Sequence, residues 1–189
     1  MNEDGQVIKN KARLVCKGYA QIEGIDFEET YAPVSRMEAV RMILAYACSK
    51  DIKVYQMDIK SSFLNVELEE EVYIKQPEGF QLSENEDYVC RLKRALYGLK
   101  QAPRAWYSRL DRYLLQQNFK RGSADNNLYI KQDNDSILII EFYVDDIIFG
   151  SDVNSLSQQF SKDMHKEFEM SLLGELTFFL GLQISQRIE

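Results

Sequence analysis

The chain has 189 residues, of which 45% are hydrophobic and 28% are charged, so it is long enough to enclose the core of one globular domain. No apolar stretch approaches the roughly 20 residues of a membrane-spanning helix, and we expect no membrane partner. A single histidine excludes most catalytic schemes that pair histidine with serine or cysteine. Three widely spaced cysteines match no zinc-binding pattern and indicate reduced thiols in an intracellular compartment.

The net charge of −7 disfavours binding to nucleic acid, but the charges are distributed unevenly. Residues 67–87 carry eight acidic side chains and one basic side chain, whereas residues 91–121 carry nine basic side chains and one acidic side chain. A segment with a local net charge of +8 can attract phosphate groups. The same charges are equally consistent with the solvated faces of a helix and its flanking loops, so charge alone leaves both interpretations open.

Hydrophobic periodicity and turn residues predict an α+β fold, in which helices are interleaved with a largely antiparallel sheet. Pro103 suits the first position of a helix, and apolar residues recur after it at helical spacing. We expect residues 1–10 to be flexible. Strands are predicted over 12–17, 52–59, 72–75, 88–92, 129–131, the two halves of 136–149 and 176–184, and helices over 38–49, 103–117 and 154–168.

Asp145 and Asp146 lie inside an apolar, β-branched run that extends from residue 137 to residue 150. An aspartate pair by itself is typical of a hairpin turn. Here the flanking strands are too apolar for an exposed tip, and a third carboxylate, Asp58, also ends an apolar strand. Two carboxylates about 4 Å apart repel by roughly 4 kcal/mol at an effective dielectric constant near 20. A cation is therefore needed where they meet, and carboxylate oxygens favour Mg²⁺.

Three sequence strings carry a resemblance to a known family: DIKSSFLN at 58–65, LYGLKQAPRAWY at 96–107 and YVDD at 143–146. They are accompanied, in order, by KARLVCKGY at 11–19, TYAPV at 30–34, LEEEVY at 68–73, LGEL at 173–176 and FLG at 179–181. From about residue 9 to its C-terminus, the chain closely resembles the reverse-transcriptase domain of copia-type long-terminal-repeat retrotransposon Pol polyproteins.

This resemblance implies a fingers-and-palm unit with a ferredoxin-like palm and no thumb. Residues of about 9–53 and 66–105 would be fingers-like, and residues 54–65 and 106–189 palm-like. The implied activity is template-directed DNA synthesis from dNTPs, with two Mg²⁺ ions as cofactors and Mn²⁺ as an alternative. The implied partners are an RNA or DNA template with its primer and the remainder of the Pol polyprotein, namely ribonuclease H, integrase and protease. We expect a cytoplasmic location in a virus-like particle, with a nuclear phase left open.

The resemblance also implies roles for individual residues. Asp58, Asp145 and Asp146 would be the catalytic carboxylates, and Ile59 would join them as a metal ligand through its carbonyl group. Phe63 falls at the position of an aromatic steric gate against a 2′-hydroxyl, with a core phenylalanine as the alternative. The segment 179–181 is either a primer-grip hairpin or the last core strand. The nucleotide-binding residues would be Lys11, Arg13, Phe63, Tyr97 and Gly98, and the template or primer residues Lys100, Arg104, Tyr143, Phe179, Leu180 and Gly181.

Two residues depart from the usual pattern of the family. Val66 stands where glycine is usual, and it would be strained if that position needs a positive φ. Ser62 replaces a more usual alanine, a change that we expect to be tolerated. Val66 and the missing thumb favour an alternative function, a catalytically inactive, transposon-derived remnant that at most binds nucleic acid. A second alternative, a palm-based nucleotide cyclase, is disfavoured by the long string around Pro103.

Overall fold

The structure is a computed structural model, and it describes residues 12–82, 87–133 and 135–187. No helix in this part of the chain is both long and apolar enough to cross a membrane. The helices are α1 (Met37–Ser49), α2 (Ala102–Gln116) and α3 (Asn154–Glu167). The strands are β1 (Lys53–Ile59), β2 (Tyr73–Lys75), β3 (Val89–Arg91), β4 (Lys120–Arg121), β5 (Leu128–Asp133), β6 (Ser136–Tyr143), β7 (Asp146–Ser151), β8 (Met170–Glu175), β9 (Phe178–Phe179) and β10 (Leu182–Gln183).

Six of these strands form one sheet in the order β4-β5-β6-β7-β1-β8, and every neighbouring pair in it is antiparallel. Strand β2 pairs with β3, and β9 pairs with β10, in two separate antiparallel ladders. Helices packed with an antiparallel sheet confirm the predicted α+β class. The division into fingers and palm stays a prediction.

The main hydrophobic core lies where α2 and α3 pack against the sheet. In α2, Trp106, Leu110 and Leu114 are 2%, 0% and 1% exposed, and they belong to the same buried cluster as Phe160 and Met164 of α3. Residues four positions apart lie on one face of a helix, which is the spacing that predicted α2 from the sequence. Pro103 occupies the first turn of that helix, as expected.

A second core cluster involves α1 and covers the other side of the central strands. Because side chains alternate along a strand, Met57 of β1 belongs to the main cluster whereas Val54 belongs to the second. In β7, Ile147 belongs to the main cluster and Ile148 to the second. Burial on both sides explains why the run around the aspartate pair is almost continuously apolar.

Two of the predicted strands are wrong. Residues 12–17 form no strand, because the backbone N–H of Cys16 bonds to the carbonyl of Tyr97 in an irregular loop rather than to a neighbouring strand. Residues 176–184 form a hairpin, β9 and β10, and the preceding edge strand β8 was not predicted. Between β9 and β10, Leu180 and Gly181 have φ values of 47° and 86°. Two successive positive φ values are typical of a type I′ hairpin turn.

Gly98 lies where the N-terminal segment crosses the loop before α2. It has a φ of 92°, and a Cβ atom added there would lie 2.2 Å from the carbonyl oxygen of Cys16 and 2.7 Å from a methyl group of Val15. A Cβ atom added to Gly18 would lie 1.8 Å from the carbonyl oxygen of Gly98. The close approach that this glycine permits is therefore to the chain itself, and its predicted contact with nucleotide stays a prediction.

Val66 is unstrained. Its φ of −116° and ψ of 130° are those of extended backbone, and its side chain is 5% exposed within the main core. The position has no need of glycine, so the strain that favoured an inactive remnant is absent.

We predict that Gly98→Ala destabilises the fold more than Gly174→Ala. Both glycines have φ values near 90°, which costs a residue with a Cβ atom about 1–2 kcal/mol, but a Cβ atom at Gly174 meets no atom of the described residues within 4 Å. At Gly98 the overlap with Cys16 adds an overpacking cost of about 1–3 kcal/mol. Urea denaturation of both variants measures the difference, and equal losses in the free energy of unfolding would contradict this account.

Candidate active site

The aspartate pair lies at the turn between β6 and β7, where the sequence predicted it. Tyr143 and Asp146 face each other across the end of the hairpin, and Val144 and Asp145 form the turn. Val144 has a φ of 57°, which is a genuine outlier for a β-branched residue. Its carbonyl oxygen accepts a hydrogen bond of 2.8 Å from the indole N–H of Trp106 in α2.

Strand β1 brings Asp58 to the same place. Asp58 is the direct register partner of Asp146, so the two side chains leave the same face of the sheet. The backbone N–H of Ile59 donates to the carbonyl oxygen of Asp145 at 2.9 Å, and the hydroxyl of Ser62 donates to the Asp145 carboxylate at 2.8 Å. The structure therefore assembles the three aspartates, predicted from distant parts of the sequence, at the ends of two neighbouring strands.

The electrostatics of the cluster combine burial with the proximity of like charges. Burial raises the pKa of Asp146 above its usual value, and the charges of Asp58 and Asp145 raise it further. A hydrogen bond of 3.1 Å from the Gln56 amide to Asp146 lowers the same pKa and so opposes these effects. Within residues 12–82, 87–133 and 135–187, no set of three or more histidine, cysteine, aspartate or glutamate side chains is arranged to hold a metal ion. The three aspartates nevertheless lie together, and their role as metal ligands stays a prediction.

A cleft of about 340 Å³ opens beside Asp58 and Asp145. Arg13 lies on its wall, with its guanidinium carbon 5.3 Å from the centre of the Tyr97 ring, which also lines the cleft. The cleft thus combines carboxylates, a cation and an aromatic ring. Its other lining residues are Ala12, Leu14, Ile59, Lys60, Ser61, Leu64 and Leu96.

Two of the predicted nucleotide-binding residues, Phe63 and Gly98, do not line this cleft. Phe63 is 9% exposed and belongs to the main core, and its ring lies 4.8 Å from that of Tyr97, behind the cleft wall. Gly98 packs against Cys16, as described above. Lys11 lies outside the described residues.

The predicted template and primer residues are spread over two places. Near α2, the Lys100 ammonium bonds to the carbonyl oxygen of Gln21 at 2.9 Å, and Arg104 forms an ion pair of 2.8 Å with Glu29. The others lie by the second core cluster or in the β9–β10 turn. Phe179 is 2% exposed, and Tyr143 and Leu180 are partly buried against that cluster. Gly181 lies in the turn.

The basic segment 91–121 faces acidic residues. A groove of about 790 Å³ has carboxylates of residues 67–70 on one side and arginines of α2 on the other. Ion pairs join Arg91 to Glu71, Arg104 to Glu29, Arg109 to Glu167, and Arg121 to Asp111. Much of the positive charge read from the sequence is thus balanced within the fold.

Sequence reasoning missed the environment of Glu141. This residue of β6 is 0% exposed, its Oε1 accepts a hydrogen bond from the Ser35 hydroxyl, and its Oε2 has no hydrogen-bond partner among the residues that the structure describes. Burial raises its pKa to about 7, the Ser35 hydrogen bond opposes that shift, and the charge of Asp125 adds to it. The available signal was a lone glutamate at a core-facing position of the apolar run.

Comparison with known proteins identifies the family to which the chain belongs. Residues 1–189 match the family described as Reverse transcriptase (RNA-dependent DNA polymerase). The chain is 40% identical over 182 residues to the Retrovirus-related Pol polyprotein from transposon TNT 1-94 of Nicotiana tabacum, and 41% and 40% identical over 190 residues to those from transposons RE2 and RE1 of Arabidopsis thaliana. These alignments cover 96% of this chain, which spans 14%, 12% and 12% of the relatives' lengths. No solved structure matches the chain significantly.

The α+β fold, with an acidic hairpin beside a mixed-charge cleft, is consistent with a reverse-transcriptase domain. The chain belongs to the reverse transcriptase (RNA-dependent DNA polymerase) family, and the three relatives named above are Pol polyproteins of plant transposons. The resemblance to copia-type elements is confirmed.

We predict that Glu141→Gln makes the free energy of unfolding less dependent on pH. The folded pKa of about 7 lies above the ordinary value of 4.5, so the native state binds the extra proton between these pH values. The resulting stabilisation is complete below about pH 4.5 and is lost as the pH rises through about 7. At pH 8 the variant should be more stable than the parent, by an amount on the order of 3 kcal/mol.

Urea denaturation between pH 4.5 and pH 8 measures this effect. Glu38→Gln, the same substitution at an exposed position of α1, is the matched control and should leave the profile of the parent unchanged. A Glu141→Gln variant with the same pH profile as the parent would show that this carboxyl does not titrate on folding.

Proposed function

We propose that this chain contributes the fingers and palm of a retrotransposon reverse transcriptase that synthesises DNA from dNTPs on a template. The single observation that carries the proposal is the direct pairing of Asp58 with Asp146, beside Asp145, at the edge of a cleft that also contains Arg13. Under this proposal residues of about 9–53 and 66–105 would be fingers-like, and residues of about 54–65 and 106–189 would be palm-like.

Reverse transcriptases generally use divalent metals, and the donor chemistry of this site suits two Mg²⁺ ions, with Mn²⁺ as an alternative. The ligands would be Asp58, Asp145, Asp146 and the carbonyl oxygen of Ile59. Burial raises the pKa of Asp146 most, and the charges of Asp58 and Asp145 raise it further. A nearby cation would offset both effects by favouring the charged carboxylate, which supports the proposal. When bound, the metals would activate the primer 3′-hydroxyl and stabilise the leaving pyrophosphate.

The residues of the cleft wall would hold the incoming nucleotide. A guanidinium group binds phosphate oxygens through paired hydrogen bonds, so Arg13 would orient the triphosphate. The ring of Tyr97 would contact the sugar or base, and Phe63, whose ring lies 4.8 Å from that of Tyr97 in the core, would fix the position of the Tyr97 ring. Gly98 would keep the loop before α2 close to the nucleotide.

Template and primer would contact two separate parts of the surface. Lys100 and Arg104, which precede or begin α2, would contact the template, and Tyr143 with the turn at Phe179–Gly181 would contact the primer end. We propose an RNA or DNA template with its primer as partners, together with the ribonuclease H, integrase and protease regions of a Pol polyprotein. The corresponding location is a cytoplasmic virus-like particle, with a nuclear phase left open.

We predict that Asp145→Asn lowers Mg²⁺-dependent primer extension by at least about 100-fold, since an amide cannot replace a charged ligand. Asp152→Asn is the matched control, because Asp152 lies beyond the far end of β7 and its oxygen accepts a hydrogen bond from the Ile137 N–H. The control should retain activity within about a factor of two. Equal extension by the parent and Asp145→Asn would refute the mechanism, and a parent chain that binds template-primer without extending it would select the inactive remnant.

We predict that Arg13→Gln raises the KM for dNTP by about tenfold with a smaller effect on kcat, as expected when a ground-state phosphate contact is removed. Lys17→Gln is the matched control, because Lys17 is exposed and is not part of the cleft wall. Steady-state extension with varied dNTP separates the two parameters. A larger KM effect at Lys17 would reassign the phosphate contact.

A further inference from the structure

The turn that carries Asp145 has an unfavourable backbone conformation. Val144 has a φ of 57°, in the left-handed region, where a β-branched side chain is strongly disfavoured. Such strain persists only where the surrounding structure holds it in place. The cost is carried by the residue immediately before a proposed metal ligand, so the position of Asp145 depends on whatever restrains this turn.

Trp106 supplies such a restraint. Its side chain is 2% exposed, and its indole N–H donates a hydrogen bond of 2.8 Å to the carbonyl oxygen of Val144. That oxygen belongs to the peptide group joining Val144 to Asp145, so the bond sets the orientation of the peptide plane from which the Asp145 side chain extends. The ring is held in turn by an edge-to-face contact with Phe168, at 5.5 Å between centroids.

The packing of Trp106 does not account for the hydrogen bond. A phenylalanine at this position would retain the aromatic contact with Phe168 and much of the buried apolar surface. The indole N–H is a donor that must find a partner when buried, and it finds the carbonyl group of the strained residue. The bond therefore has a role that the hydrophobic core alone does not require.

We propose that Trp106 is a positioning residue for the acidic site: its indole N–H holds the Val144–Asp145 peptide so that the Asp145 carboxylate lies beside Asp58. This inference deepens the proposed function and rests on it for the identity of the cation. The bond acts together with two hydrogen bonds to Asp145, one from the backbone N–H of Ile59 to its carbonyl oxygen and one from the Ser62 hydroxyl to its carboxylate.

The first measurement uses the unaltered chain. Its single tryptophan gives one indole N–H signal in a ¹H–¹⁵N NMR spectrum. We expect this proton to exchange with solvent as slowly as the backbone amide of Ile59, which bonds to Asp145 at 2.9 Å. Rapid exchange of the indole proton in the folded chain would overturn the proposal.

The second measurement compares Trp106→Phe with Tyr107→Phe. The control removes a hydrogen bond from the next residue of α2, where the Tyr107 hydroxyl donates to the carbonyl of Asn126 at 3.0 Å, away from the acidic turn. We expect Trp106→Phe to speed exchange of the Ile59 amide at least tenfold and to weaken Mn²⁺ binding, measured by water-proton relaxation, about tenfold. Tyr107→Phe should change neither. Unchanged Ile59 exchange and unchanged Mn²⁺ affinity in Trp106→Phe would overturn the proposal.

A double variant distinguishes positioning from general destabilisation. Glycine tolerates the left-handed conformation, so Val144→Gly should restore slow exchange at Ile59 in the Trp106→Phe background, although it restores no core packing. Fast exchange of the Ile59 amide both in Trp106→Phe and in the double variant with Val144→Gly would overturn the proposal. If the parent chain binds no Mn²⁺, the metal part of the proposed function fails, whereas the exchange of Ile59 still tests the positioning bond.

Discussion

The antiparallel register between β1 and β7 is the constraint on which the site depends. It places Asp58 opposite Asp146, and a slip of one residue would move Asp58 to the opposite face of the sheet. The register is fixed by apolar burial on both faces, since Met57 belongs to one core cluster and Ile148 to the other. Hydrophobic packing thus determines where the charges meet, and the repulsion between them is the cost of that arrangement.

Helix α2 connects this register to the rest of the molecule. At its N-terminal end, the Gln101 amide donates to the carbonyl of Asp26 at 3.1 Å and accepts from the Gln21 amide at 3.0 Å, which holds the segment before α1. One turn further on, Trp106 reaches the acidic turn. The loop before the helix contributes Tyr97 to the cleft wall. The same helix therefore positions the predicted nucleotide side and the predicted metal side of the cleft, so that a change in its packing affects both.

Local sequence patterns predicted most of the fold but few of its long-range contacts. The α2 helix followed from Pro103 and the spacing of Trp106, and the acidic hairpin followed from an apolar run interrupted by two aspartates. The strain assigned to Val66 was wrong because φ cannot be read from a residue's neighbours, and the valine proved to be extended. Strand β8 was missed because it lies at a sheet edge with exposed leucines and lacks strong alternation. Gly98 packs against Cys16, about 80 residues away along the chain, and Glu141 bonds to Ser35, 106 residues away. No local sequence pattern indicates contacts over such separations.

The choice of hydrogen-bond donors at the site bears on its chemistry. The Ser62 hydroxyl donates a hydrogen bond to Asp145, and the Gln56 amide donates one to Asp146. Both donors are neutral, so they orient carboxylate oxygens and reduce their desolvation cost without cancelling their charge. A lysine or arginine in either place would form an ion pair and compete with any incoming cation. Ser62 therefore adds an orienting contact to Asp145 and leaves the site anionic, as the proposed binding of divalent cations requires.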